Sequence, residues 1–378
     1  MIQKKVNTKL LLVSMILFSM PAKALIVLQN ASAAANVDYD TNLNLREEKQ
    51  DVWRYSITPR YSVEVANEKN RWFADGGLLL QRSSDENISA DREDPNLGVG
   101  WQRELEKGQF SLGARYQKRS SRFAQFDTNA LVDVDGSSVN RSVYADYSRV
   151  LTEKINFSVG ANYSTNEFSN SSFVDSTTKS INSTANYVFN ERITPFIQLG
   201  FTDFEPDGVA TEPNIFNQRN FNNQSRTSRN ISVGSNFLIS PRLTFVSSIG
   251  VNRTSTAGAG WIANANLSYE AERSTFQGRL ARTVVPGGLG DFQETDIFAL
   301  NYGYELSDKS TLGADFNMSR SRSQFDFETT QLNTFYSREL SADWQMRVNV
   351  RYRNVKGTTF SAHNNNFGIS LIYNIPQF

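Results

Sequence analysis

Strict alternation of apolar and polar residues over a long stretch is the clearest feature of this sequence. From Trp53 to Val65, alternate positions are apolar or aromatic, while the positions between them, beginning with Arg54 and ending with Glu64, are polar or charged. A period of two places these sets on opposite faces of a β-strand. The stretch is longer than the usual strand of about 5 to 6 residues and can cross a bilayer at a tilt. The pattern predicts a strand with one face toward lipid and the other toward water.

The same pattern recurs to the end of the chain and predicts about 18 strands, with 16 as the alternative. The first candidate strand is the weakest, with Val37, Tyr39, Thr41 and Leu43 outward, and the last has an outward set from Phe367 to Ile375. Because strands of this length would expose long edges, closure into an antiparallel up-and-down barrel is favoured. The fold class predicted is therefore an all-β transmembrane barrel.

The connections between these strands fall into two alternating classes. Tight polar turns such as Asn67 to Asn70 follow every even-numbered strand, and mostly longer loops such as Ser120 to Asn140 follow the odd-numbered ones. Bacterial outer-membrane barrels have this layout, with short periplasmic turns and long extracellular loops. Trp residues at both ends of the strands fit the aromatic girdles of the two membrane interfaces. The longest loop, Asp203 to Arg229, could fold inward as a constriction, although an exposed loop is favoured.

The N-terminus has the features of an export signal. Three lysines precede an apolar run from Leu10 to Met20, and small residues follow it. Cleavage after Ala24 is favoured, with a second option near residue 33. We therefore expect a signal peptide at 1–24, a single barrel domain at 34–378, and insertion in the bacterial outer membrane.

Composition excludes several classes of function. Lys plus Arg and Asp plus Glu are 39 each, so no overall field favours nucleic acid. The chain has no cysteine and one histidine, His363, predicted in the last long loop. No disulfide or thiolate metal site can form, and an enzyme is disfavoured; no metal or cofactor is expected. Gly287, Gly288 and Gly290 resemble a phosphate-binding loop only superficially, because no helix follows them.

The inward positions are mainly Asn, Ser, Thr, Gln and Gly, typical of a solvated lumen too wide for side chains to fill. Charge concentrates on the second and seventeenth strands, which closure brings near each other. The inward arginines of these two strands could form a basic ladder that guides an anionic solute. Pairing of the arginines with Glu64, Glu339 and other acids is favoured over such a ladder. The candidate lumen-lining residues are Arg54, Arg60, Glu64, Arg347, Arg351, Arg353, Asn162, Asn186, Asn236 and Asn264.

Short motifs add a resemblance to a known group. Tyr39 to Asn42, the Ile57–Thr58–Pro59 run, and Pro286 to Asp291 followed by Glu294 to Asp296 carry it. With these motifs the chain resembles the outer-membrane β-barrels found with exopolysaccharide biosynthesis and exosortase-type gene clusters in Gram-negative bacteria. The resemblance implies passage of a polysaccharide through the outer membrane, or assembly of the export complex with a periplasmic partner. It brings no catalytic residues.

Two functions remain open from the sequence. The first is a channel for a secreted polysaccharide, since an uncharged wall can exchange hydrogen bonds with sugar hydroxyls at little net cost. The second is a general or nutrient-uptake porin, which the same wall permits for any hydrophilic solute. Both require contact with outer-membrane lipid, and neither requires nucleic acid.

Overall fold

The computed structural model describes residues 25–46, 48–121, 136–169, 173–207, 224–288, 290–322, 326–357 and 361–375. These residues form one antiparallel sheet of 18 strands. The strands, numbered in chain order, are β1 Ile26–Asp40, β2 Val52–Ala66, β3 Asn70–Ser83, β4 Arg92–Leu105, β5 Gly108–Ser120, β6 Ser137–Val150, β7 Ile155–Phe168, β8 Asp175–Tyr187, β9 Ile193–Asp207, β10 Arg226–Ser240, β11 Leu243–Thr254, β12 Gly258–Glu270, β13 Ser274–Pro286, β14 Phe292–Ser307, β15 Ser310–Arg322, β16 Asp326–Glu339, β17 Trp344–Lys356 and β18 Ser361–Ile375. The prediction of an all-β up-and-down barrel with 18 strands is confirmed.

The sheet closes on itself. Each strand pairs with its neighbours in sequence, and β1 pairs with both β2 and β18. The closing register runs from Ala31↔Ile375 to Asp40↔Asn366. Closure leaves none of these 18 strands at a free edge of the sheet, and an exposed edge is what would favour aggregation of such long strands.

The outward face of the barrel is apolar and uncovered. Ile249, Leu280 and Ile369 are 61%, 57% and 56% exposed, although each lies in the middle of a regular strand. A contiguous apolar surface of this extent on a soluble protein would be an aggregation hazard. The outward face is therefore suited to contact with lipid, as the alternation in the sequence predicts.

Aromatic residues ring this face at two levels. At the ends of the strands that carry the longer loops, hereafter the long-loop end, Trp53 packs on Tyr39 with ring centroids 4.8 Å apart. At the opposite, short-turn end, Trp344 packs on Tyr373 at 4.8 Å. Rings with one apolar and one polar edge favour the boundary between hydrocarbon and water. The two levels thus mark the predicted membrane interfaces.

The short turns share a side-chain hydrogen bond that explains their sequence format. Asn190 Oδ1 accepts hydrogen bonds from the backbone N–H groups of Arg192 and Ile193, both at 2.8 Å. The Ser341 hydroxyl accepts similarly from the N–H groups of Asp343 and Trp344. A side-chain oxygen that caps the amides two and three residues later stabilises a tight turn. This is why Ser, Thr or Asn follows the last outward apolar residue of these strands.

The first strand differs from its prediction. β1 spans Ile26–Asp40 and pairs with β2 from Ile26↔Ala66 onward, so it begins before the predicted domain boundary at 34. Leu43, predicted to face outward, is 2% exposed and packs with Val52 and Ile88 in the connections of the long-loop end. The weak alternation of the alanine-rich segment concealed the start of the strand. Residues 1–24, the predicted signal peptide, lie outside the described residues.

Two predicted loops are shorter than expected because the strands continue into them. β9 extends to Asp207 and β10 begins at Arg226, so Asp203 and Glu205 are outward strand residues; residues 208–223 lie outside the description. His363, predicted in a loop, lies in β18, where its Nε2 is 2.9 Å from the Nζ of Lys49. The polar ends of these strands show no alternation of apolar and polar residues. The sequence pattern therefore ends before the hydrogen-bonded part of the strand ends.

Among the residues described, no helix is long and apolar enough to cross a membrane.

Candidate functional site: the barrel lumen

The lumen wall is built by the polar set of alternate strand positions. The register places Asn162 opposite Tyr144, Asn186 opposite Asn156, Asn236 opposite Val246, and Asn264 opposite Ser248. Each belongs to the polar set of alternate positions, which the alternation predicts to face inward. Amide and hydroxyl groups at these positions can both donate and accept hydrogen bonds. The wall therefore solvates polar solutes without selecting strongly for charge.

Several inward side chains lie flat on the wall across a glycine of the next strand. Phe73 is paired with Gly100, Tyr144 with Gly113, Phe196 with Gly234 and Phe335 with Gly313. A Cβ built on each of these glycines would overlap with the ring. The missing side chain thus gives the ring a place against the backbone, an arrangement known to stabilise sheets.

Acidic side chains also lie over glycines of the next strand. Asp75 lies over Gly98 and Asp146 over Gly160, again as direct cross-strand partners. Large side chains that lie along the wall leave the middle of the lumen open. These cross-strand pairs were missed by the sequence analysis, because the pattern of one strand does not reveal which residue lies opposite on the next. Inward aromatics at otherwise polar positions were the available signal.

The predicted arginine ladder is interrupted by ion pairing. Arg54 Nη2 lies 2.6 Å from Asp40 Oδ2, and the two side chains are 11% and 3% exposed. Arg347 lies over the Phe335 ring, with its guanidinium carbon 3.9 Å from the ring centroid. Arg60 is exposed to the lumen from β2. The arginines therefore differ in their availability to a solute.

The acid favoured as a partner for these arginines is paired elsewhere. Glu64 Oε1 lies 3.0 Å from the Nε of Arg71, near the short-turn end. Asp40, which the sequence analysis did not single out, takes Arg54 instead. Pairing with an acid is therefore present for Arg54, and the acid is Asp40, one of the acids that the prediction left unnamed.

A buried polar network crosses the seam where β18 meets β1. Asn364 Nδ2 donates to Asp40 Oδ1 at 2.8 Å, and Asn364 Oδ1 accepts from the backbone N–H of Asn42 at 2.9 Å. Asn366 Nδ2 donates to Asp38 Oδ1 at 3.3 Å. Arg351 and Arg353 stand directly opposite Asn366 and Asn364 on β17. With the Arg54–Asp40 ion pair, these hydrogen bonds connect β18, β1 and β2 across the closure, at the long-loop end of the lumen.

Inward side chains are mostly buried at the long-loop end and mostly half-buried or exposed toward the short turns, although Ser337 near a short turn is also buried. The buried ones belong to strands all around the barrel and include Gln81, Ser138, Ser176, Ser228, Thr295 and Phe327. By contrast, inward Gln109, Asp146 and Gln277 near the short-turn end are not buried. An open barrel would expose both ends equally, so the connections of the long-loop end must cover the upper wall.

The connection between β13 and β14 is one such cover. It reaches the part of the wall formed by β8 and β9, where the backbone N–H of Val174 donates to the carbonyl of Gly288 at 3.0 Å. Phe292 packs on Phe204 of β9, with ring centroids 5.9 Å apart, although four strands separate β9 from β14 in the sheet. The carboxylate of Asp291 lies 3.3 Å from the guanidinium of Arg226. The connection therefore bridges the lumen on its inner side.

Glycines make this bridge possible. Gly290 has a φ of +83°, a conformation that side chains other than glycine rarely adopt. A cavity of about 100 Å³ separates Pro286, Gly287 and Gly288 from inward Arg119 and Phe168. The glycines dismissed as a phosphate motif thus shape a constriction, whereas residues 208–223 of the longest loop lie outside the description.

Within the described ranges, no group of three or more His, Cys, Asp or Glu side chains is placed to hold a metal ion.

Comparisons with known proteins give the fold and no family. No family model and no curated protein matches the chain. Among solved structures, OccAB4 of Acinetobacter baumannii is similar with a TM-score of 0.54 and 9% identity, covering 93% of this chain and 98% of that one. OpdO of Pseudomonas aeruginosa has a TM-score of 0.51 and 10% identity, covering 92% and 97%. At such identities the likeness shows a shared fold alone.

Proposed function

We propose that the protein is an outer-membrane channel that passes small hydrophilic solutes through a lumen narrowed at one end. The observation that carries this proposal is the contrast between the two faces of one closed sheet. Outward residues such as Ile249 are apolar and exposed, while inward residues such as Asn162 and Asn264 are polar. A wall of this kind keeps water inside a barrel of this strand number. OccAB4 and OpdO share the barrel fold, which is compatible with this proposal.

Orientation follows from the connections. In outer-membrane barrels the short turns face the periplasm and the longer loops face outward. The bridge formed by the β13–β14 connection would then restrict access from outside the cell. A signal peptide at 1–24, cleaved after residue 24, would leave β1 intact, whereas cleavage near residue 33 would remove Ile26–Ala33 from its pairing with β2.

Single-channel recording in planar bilayers tests the proposal directly. The full-length mature chain, folded in detergent, should produce stepwise ion conductance and should admit small sugars in a liposome-swelling assay. Well-folded protein that yields neither conductance nor swelling would contradict a channel function. Folding can be checked independently by the shift in electrophoretic mobility on heating.

Export of an exopolysaccharide is the second candidate. It rests on the resemblance to barrels encoded with exopolysaccharide genes, and on an inward face in which uncharged amides and hydroxyls predominate. Such groups can exchange hydrogen bonds with sugar hydroxyls at little net cost. Deleting the gene and measuring the released polysaccharide separates the two functions. Normal secretion by the deletion strain favours the porin, and a periplasmic export partner would then not be required.

A further inference from the structure

One concave site on the lumen wall combines an aromatic ring, a carboxylate and several amides. It has a volume of about 340 Å³ and spans β5 to β8 at mid-height and toward the short-turn end. Its side chains include Gln109, Tyr144, Asp146, Asn162 and Asn182. This volume lies at the lower end of the range of about 300–1,000 Å³ for small-molecule sites.

Gly160 forms the floor of this site. In the register it lies between Asp146 of β6 and Asn182 of β8. A Cβ at this position would come within 2.5 Å of Asp146 Oδ1. The Asp146 carboxylate can therefore lie over residue 160 because this residue has no side chain, and Asn182 stands on the other side of it.

Tyr144 forms one wall and stands directly opposite Asn162. Its ring leans over Gly113, so it lies along the barrel wall and remains half-buried. A ring held flat in this way offers an apolar face beside hydrogen-bonding groups. This combination matches a pyranose, which has an apolar face of C–H bonds and a rim of hydroxyl groups.

The charges of the site distinguish among classes of solute. Asp146 is exposed, and the other polar groups that line the site are neutral. An anionic solute would be repelled by the carboxylate. The amides and hydroxyls can donate and accept, which suits hydroxyl groups that do both.

We propose that this site, formed by Tyr144, Asp146, Asn162 and Asn182 over Gly160, binds one neutral sugar unit of a saccharide in the lumen. The inference rests on the proposed channel function and names the class of solute that the channel retains. A weak site in a wide lumen raises the local concentration of a saccharide without blocking the passage of others.

Current blockage by maltohexaose, a neutral probe, tests this site in the conducting full-length channel. Maltohexaose should interrupt the ion current of the wild type in a concentration-dependent way. Tyr144→Ala should weaken the apparent affinity about tenfold, as expected when an aromatic contact is removed from a binding site. Tyr144→Phe, which retains the ring, should stay close to wild type. Phe335→Ala, which removes an inward ring outside this site, is the matched control. Maltohexaose should block this variant as it blocks the wild type.

Gly160→Ala provides a second variant, because it fills the floor while leaving Tyr144 in place. It should reduce blockage without changing the conductance step. A channel that conducts normally but is not blocked by maltohexaose would overturn the sugar site and leave the channel function intact. Blockage by spermidine in place of maltohexaose, lost in Asp146→Asn, would overturn it in favour of a cation site.

Binding can also be measured without conductance. Saturation-transfer NMR of maltohexaose with the full chain in detergent micelles should show contact that Tyr144→Ala removes. Contact by a protein that does not conduct would support the sugar site and contradict the channel. Absence of contact would contradict the sugar site whatever the conductance.

Discussion

The two ends of the lumen are built from the same alternating strands, yet they differ in burial and in bonding. At the long-loop end, Asp40 and Arg54 form an ion pair whose side chains are 3% and 11% exposed. At the short-turn end of the same strand, Glu64 and Arg71 form an ion pair whose side chains are 33% and 53% exposed. The strands alone do not cause this difference. The connections that fold over the upper wall exclude solvent there. Breaking an ion pair at that end should therefore cost more stability than breaking a similar pair at the short-turn end.

The two ends of the lumen also differ in rigidity and in the access that they leave to a solute. The long-loop end holds the closure seam and the bridge of the β13–β14 connection, both fixed by buried polar contacts. The lower wall holds rings and carboxylates that lie over glycines and remain accessible to solute. In the proposed channel, the long-loop end would restrict access and the lower wall would contact the solute.

The largest effect is expected from breaking the buried ion pair. Asp40→Ala leaves the Arg54 guanidinium without its carboxylate in a buried site and removes the acceptor of Asn364. Loss of one partner of a buried pair costs about 3–5 kcal/mol. Glu64→Ala, on the neighbouring strand β2, should cost about 0–1 kcal/mol because the Glu64–Arg71 pair is more exposed. Urea unfolding in detergent micelles compares them, and equal losses would show that the two ends do not differ.

Shortening the bridge should alter conductance more than any single substitution in the wall. Replacing Gly287–Asp291 by a two-residue Asn-Gly turn keeps β13 and β14 paired and removes the contacts with Val174 and Arg226. The single-channel conductance should rise several-fold, since the narrowest section limits ion flow. Arg226→Met, which loosens the bridge without removing it, should increase current fluctuations with a smaller gain. An unchanged conductance would place the narrowest section elsewhere.

A smaller effect is expected where a ring lies over a glycine. Gly100→Ala introduces a Cβ where the Phe73 ring lies, so the ring must turn into the lumen. Overpacking of this kind costs about 1–3 kcal/mol, and the conductance should fall modestly. The double variant Gly100→Ala with Phe73→Ala should recover the conductance, and a double-mutant cycle measures the coupling. Additive effects would indicate that the pair is not in contact.

The smallest effect is expected in ion selectivity. Arg347→Gln combined with Arg351→Gln removes two inward positive charges, so the preference for anions over cations should decrease slightly. Arg338→Gln, an outward arginine of β16 opposite Met346, is the control. Reversal potentials in a salt gradient measure the change. Unchanged selectivity would exclude even a short basic ladder, because Arg54 is already neutralised by Asp40.

Much of the fold could be predicted because a membrane barrel repeats one local rule. Period-two alternation gave the face of each strand, and the alternating connection lengths gave the antiparallel order and the strand number. Where the rule weakens, the prediction was incomplete. The alternation predicts a later start for β1 than the structure shows, because alanines differ little in polarity from their neighbours. It predicts a loop at His363, because the end of β18 near the long loops is polar.

The candidate site could be predicted only in part. Asn162 and the arginines were found as inward positions, but their partners depend on the register between strands. The partner of Arg54 is Asp40, an acid that the sequence pattern did not name as a partner, and the role of Gly160 depends on Asp146 and Asn182 on either side. A sequence pattern fixes which face a side chain occupies and leaves open which residue lies beside it.

Trp53 to Val65 shows where the division lies. The sequence by itself determined that Arg54 and Glu64 face water and that Trp53 and Ile57 face lipid, because alternation in a strand is a local property. Only the tertiary structure decided that Arg54 is buried against Asp40 at the closing seam while Glu64 stays exposed beside Arg71. The physical reason is that burial inside a barrel depends on connections and on strands distant in sequence, whose positions are set when the sheet closes.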